Sequence, residues 1–163
     1  MIVRAEAPSD ATAIADVVAT AFAASDHGHH GEADLVSALR GRGDLAVSLV
    51  AEISGAIVGH VAFSPVTIGD GTGGWYGLAP VAVLPAYRCR GTGAALVEAG
   101  ITSLRAAGAA GCVVLGDPRY YCRFGFVHDP ELTYPGPPPE AFQRAVWSGG
   151  TPRGVVAYSP VFG

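Results

Sequence analysis

Leu84-Pro85-Ala86-Tyr87-Arg88-Cys89-Arg90-Gly91-Thr92-Gly93-Ala94 is the stretch on which the reading of this chain turns. It lies between an apolar run ending at Val83 and a helical pattern opening at Ala94. Glycines at 91 and 93 are expected to adopt positive φ and let the backbone come close to a ligand. The N–H groups at the start of the next helix would then face an anion, aided by the helix dipole. Arg88 and Arg90 add positive charge, so the whole suits a pyrophosphate. Two other phosphate folds fail as strict matches. A Walker loop needs Gly-Lys-Ser/Thr and the chain has no Lys; a Rossmann turn needs a glycine where Leu96 stands. An ordinary strand-to-helix turn that merely requires glycine is the competing account.

Working outward, residues 75–83 and 112–115 read as apolar strands on either side of the 94–107 helix. Pro80 within the first cannot donate a ladder hydrogen bond, which predicts a bulge or an unpaired stretch there. Upstream, 45–52 and 56–66 form a hairpin around Ser54-Gly55. Ile14, Val17, Val18, Ala21 and Phe22 recur at helical spacing after a cap at Ser9 or Asp10. Leu35, Val36 and Leu39 mark a second helix ending near Gly41. Residues 120–126 are a short aromatic segment, 135–139 a rigid turn, and 154–158 a last strand. Strands around interior helices predict an α+β or mixed α/β sheet. At 163 residues the expectation is one domain, 1–163.

Composition limits the function classes. Half of the residues are apolar and 15% are charged, as in a compact fold. A net charge of −4 speaks against a nucleic-acid binder. No apolar run approaches the roughly 18 residues of a membrane span, and the N-terminus is unlike a signal peptide. The cytoplasm is the expected location. Cys89, Cys112 and Cys122 show no CxxC spacing, so neither a disulfide framework nor a zinc site is indicated.

Arg88-x-x-Gly91-x-Gly93 is similar to the Q/R-x-x-G-x-G/A loop of the GNAT acyltransferases, and Tyr121-Cys122-Arg123-Phe124-Gly125-Phe126 to their Y-x-x-x-G-F signature. Longer strings, GLAPVAVLPAYR and VVLGDPRYYCRFGF, resemble the YhbS-like subgroup. The resemblance covers most of the chain and implies a GNAT fold, a mixed central sheet whose two parallel strands splay apart around acetyl-CoA. By that resemblance Val81, Ala82 and Val83 meet the pantetheine arm, and an N–H near Val83 polarises the thioester carbonyl. Arg88, Cys89, Arg90, Gly91, Thr92, Gly93 and Ala94 hold the pyrophosphate. Tyr121 takes the place of the general acid that protonates the leaving thiolate. The family's frequent Asn beyond the second splayed strand is missing. Asp117 stands in that region, either as an acceptor or as the cap of a helix starting at Pro118.

The acceptor side is less legible. Direct attack needs a neutral amine and a proton acceptor; Glu32, Asp34, Glu52 and Asp117 are the candidates, Glu32 first. His27, His29 and His30 cluster near carboxylates, but a surface loop accounts for them better than a metal, and none is expected. His60, within a strand, is expected to find its partners in the sheet. The implied acceptor is an amine on a small molecule or a protein, with a homodimer left open. A non-catalytic acyl-CoA sensor is the alternative, and thiol release would separate the two.

Overall fold

The computed structural model describes residues 1–23 and 32–162. Strands β1 (Ile2–Ala5), β2 (Val47–Ile53), β3 (Ala56–Pro65), β5 (Trp75–Val83), β6 (Gly111–Leu115), β9 (Phe142–Val146) and β7 (Val127–His128) form a seven-stranded sheet. They lie in the order β1-β2-β3-β5-β6-β9-β7. Among the described residues of this sheet only β5 and β6 run parallel, and their crossover is helix α3 (Thr92–Ala106). A three-stranded sheet adds β4 (Thr67–Ile68), β10 (Gly154–Ala157) and β8 (Leu132–Thr133).

Period-two alternation along the strands decides which helix covers which face. Leu49, Ala51, Val61 and Phe63 face α3 through Leu96, Val97 and Leu104. Val50 and Ala82 face the opposite way, onto Ile14, Val17, Val18 and Ala21 of α1 (Ala11–Ala23) and Val36 of α2 (Glu32–Arg42). A third cluster, including Ile68, Trp75, Val113 and Phe142, joins the small sheet to the main one. The 54–55 hairpin turn has positive φ at both residues, 51° and 82°, as a two-residue turn that follows strand twist requires.

Four details add to or alter the sequence reading. Helix α2 runs through Gly41 to Arg42, and it is Gly43 that takes a positive φ of 77° beyond its end. Strand β9 has no apolar alternation to announce it: Gln143 and Arg144 occupy its middle. The last strand, β10, belongs to the small sheet. His60 is only half satisfied. Ser48 donates to the Glu6 carboxylate, so His60 Nε2 must be the donor in its 2.8 Å contact with Ser48 Oγ. Nδ1 is then a buried acceptor with no partner among the described residues. Burial lowers the His60 pKa to about 4. Burial opposes the Glu6 charge, but hydrogen bonds from Arg40 and Ser48 outweigh it and hold its pKa low.

Among the described residues no helix is long and apolar enough to cross a membrane, and no group of three or more His, Cys, Asp or Glu could hold a metal ion. His27, His29 and His30 lie outside the described residues.

Candidate active site

Strands β5 and β6 pair only through Trp75, Tyr76 and Gly77, opposite Gly111, Cys112 and Val113. They part beyond Gly77 because β5 bulges. Its register against β3 passes from Leu78 opposite Phe63 to Val81 opposite Val61, so Ala79 and Pro80 together oppose Ala62. Pro80, whose preceding peptide bond is cis, thus sits in the bulge the sequence predicts. Past it, Leu84 N–H bonds Val58 O at 2.9 Å. Antiparallel bonding alternates, so Ala82 also turns its polar groups to β3 while Val81 and Val83 turn theirs away, toward the gap. The gap is a cleft of about 630 Å³.

The 88–94 loop closes one end of the cleft. Gly91 has φ 80°, as expected, but the second positive φ belongs to Cys89 (59°), not to Gly93. Gly93 lies in the first turn of α3, where an added Cβ would meet the Tyr120 hydroxyl at 3.4 Å and Val83 Cγ2 at 3.6 Å. The fold therefore has room for a Cβ there, and positive φ is not what calls for glycine at this position. Among the described residues none of the N–H groups from Cys89 to Ala94 has a hydrogen-bond acceptor in the protein; the helix ladder begins with Ala95 N–H to Gly91 O at 3.0 Å. Such a run of free amides at a helix start is an anion nest.

The two arginines differ: Arg88 lines the cleft and Arg90 does not. Arg88 Nη2 donates to Ala21 O at 2.8 Å and its Nε to Val83 O at 3.3 Å, so this side chain ties the loop to the end of α1. Arg90 lies over the Tyr87 ring, 5.8 Å from its centroid.

Tyr120 and Tyr121 close the other side, at the end of α4 (Pro118–Tyr121). The Tyr121 ring lies flat on Gly116, where a Cβ would fall 2.4 Å from Cε2, and meets the Tyr120 ring edge-on at 5.0 Å. Gln143 Nε2 fixes this seat by donating to Gly116 O at 3.2 Å. Burial pushes the Tyr121 phenol up to about 12, so it stays protonated at neutral pH. Asp117 is the helix cap, accepting from Arg119 N–H at 2.9 Å, rather than a ligand in the cleft. Gly116 and Gln143 escape a reading of motifs; a glycine directly after an apolar strand was the one available signal.

Of the candidate proton acceptors, Glu52 pairs with Arg4 at 3.4 Å, beside β1 at the sheet edge, and Asp117 is held by Arg119. Asp34 is exposed and does not line the cleft. Glu32 opens α2, and its side chain lies outside the described residues. Cys112 is buried in the core, whereas Cys89 and Cys122 are exposed.

Known proteins share this arrangement. Residues 15–126 match the Acetyltransferase (GNAT) family. The uncharacterized N-acetyltransferase YhbS of Escherichia coli K12 is 40% identical over 83% of this chain and 81% of its own length. A GNAT family acetyltransferase from Brucella melitensis, solved in complex with acetyl-CoA, is 43% identical with a TM-score of 0.88, covering 99% of this chain and 97% of that one. The Escherichia coli YhbS structure in complex with CoA is 38% identical with a TM-score of 0.89, over 99% and 91% of the two chains. A parted parallel strand pair, a free-amide loop at the helix start and this likeness across nearly the whole chain lead to one conclusion: the protein belongs to the GNAT family and is an N-acetyltransferase.

Proposed function

We propose that this protein acts as one unit over residues 1–163, in the cytoplasm, and moves an acetyl group from acetyl-CoA to a primary amine by direct attack on the thioester. The observation that carries the reading is the cleft itself, lined by a loop with six free amides among the described residues and by a protonated phenol. The amides of Cys89 to Ala94 take the pyrophosphate. The outward polar groups of Val81 and Val83 take the pantetheine arm, and an N–H near Val83 polarises the thioester carbonyl. The amine nitrogen attacks that carbon, and a C–N bond forms as the C–S bond breaks. The amine gives up one proton, and the departing sulfur takes one from Tyr121, which solvent then restores. Glu32 is the proton acceptor in this reading. What supports it is that Glu32 opens α2, which packs against α1, whose Ala21 and Phe22 line the cleft. Glu32→Gln is expected to lower kcat/KM chiefly at low pH, and an unchanged pH profile removes it from the mechanism. Acceptor-dependent thiol release from acetyl-CoA tests the whole reading, because binding without release would mark a sensor.

A further inference from the structure

A second cavity, of about 180 Å³, borders the same parted strands. Its walls are Leu78 and Ala79 of β5, Leu115 at the end of β6, and the rings of Tyr134, Tyr158 and Phe162. The two cavities occupy neighbouring residues of the same elements. On β5 the bulge at Pro80 divides Leu78 and Ala79, which line the small cavity, from Val81 to Val83, which line the cleft. Past β6, Leu115 lines the small cavity, and the next residue, Gly116, seats the Tyr121 ring that lines the cleft. A molecule in the small cavity therefore abuts the place where the thioester would lie.

The walls are built, not incidental. Tyr158 lies on Gly77, the last residue of β5 paired with β6; a Cβ there would fall 2.3 Å from its Cε1. The next residue, Ser159, donates to Asp44 at 2.9 Å and clips this segment to the chain just beyond α2. Tyr134 stacks on Phe142 at 5.5 Å, meets Tyr158 edge-on at 5.2 Å, and Phe162 meets Tyr158 at 5.6 Å. Among the described residues no wall residue carries a carboxylate or a basic group, and the polar side-chain atoms are two phenol hydroxyls.

Size and chemistry then select an occupant. An apolar cavity of about 150 Å³ takes a benzene ring, so this one has room for a single ring and little more. Aromatic walls at these angles offer edges and faces to a guest ring. An ammonium brought here loses water and meets no carboxylate among the described wall residues, which favours the neutral amine that attack requires. A second ammonium, as in a polyamine, would be left unpaired. On the proposed reading of the protein as an amine acetyltransferase, we infer that this cavity is the acceptor site and takes a small primary amine carried on one aromatic ring or an apolar group of that size.

The test is thiol release from acetyl-CoA with 2-phenylethylamine, spermidine and a lysine-containing octapeptide as acceptors. The expected kcat/KM for phenylethylamine exceeds the other two by at least tenfold. Leu115→Trp, a change at a half-exposed wall residue, fills the cavity and should raise KM for phenylethylamine at least tenfold without altering acetyl-CoA Kd. Phe162→Ala should act in the same direction, more weakly. Calorimetry of phenylethylamine with the CoA-loaded protein reads the cavity without turnover, and Leu115→Trp should abolish that heat. Preference for spermidine or the peptide, or a Leu115→Trp variant with unaltered KM and binding, overturns the acceptor assignment and leaves the transferase reading intact. If no amine releases thiol from bound acetyl-CoA, the transferase reading falls instead. Phenylethylamine binding that depends on Leu115 would then still identify the cavity as a ligand site, and its absence would overturn that too.

Discussion

Tyr121 and Cys89 show how much of a site rests on single residues. Tyr121→Phe keeps the ring on Gly116 but removes the proton, so kcat should fall roughly 10²-fold with little change in acetyl-CoA Kd. Stopped-flow turnover with chemistry rate-limiting checks this, and a wild-type rate would assign protonation of the thiolate to another group. Tyr120→Phe should leave kcat near wild type. In the loop, backbone conformation outweighs side-chain identity. Cys89→Gly accepts the same positive φ and should hold CoA affinity within about threefold, whereas Gly91→Val, strained at φ 80°, should weaken it more than tenfold. Calorimetry on both variants decides. Arg88→Ala should release α1 from the loop as well as lower the positive charge. The motif residues were legible because phosphate binding demands glycine, amides and a helix start in fixed order. The exchange of roles between Gly93 and Cys89 was not, since any residue can enter the left-handed region when its neighbours hold it there.

At the scale of elements, α3 was read correctly because its apolar spacing and flanking glycines agree. Its packing contains a detail no pattern carries. Gly100 costs the helix about 1 kcal/mol against alanine in intrinsic propensity. Yet a Cβ there would fall 2.1 Å from Phe63 Cε2 in β3, and forcing apart a filled core costs roughly 1–3 kcal/mol. Gly100→Ala should therefore destabilise, with a lower urea midpoint; a raised midpoint would show that Phe63 can move aside. Strand β9 stayed hidden because its buried Gln143 carries hydrogen bonds rather than apolar surface. The acceptor cavity stayed hidden for a different reason. Leu78, Leu115, Tyr134 and Tyr158 are far apart in sequence, and only strand pairing brings them together.

The molecule as a whole should respond to acid through His60. Its folded pKa of about 4 lies below the ordinary value of 6.5, so the unfolded chain binds the proton first. The stability is complete above about pH 6.5 and is lost as pH falls from there toward 4. A gap of that size is worth on the order of 3 kcal/mol. The groups that face the ring through Ser48 are Glu6, which favours its charge, and Arg40, which opposes it. Urea midpoints measured from pH 7 to 4.5 should slope downward in wild type and flatten in His60→Leu; equal slopes would clear His60 of the effect. A different consequence follows from where the walls of the acceptor cavity lie along the chain. The cleft is complete by Arg123, but the cavity needs Tyr134, Tyr158 and Phe162. The Acetyltransferase (GNAT) family model ends at residue 126, while the solved relatives match 99% of the chain. The residues that line the cleft are thus all translated before those that give the cavity its aromatic rings. Substitution at Tyr134, Tyr158 or Phe162 can accordingly reshape the cavity without replacing any residue that lines the cleft.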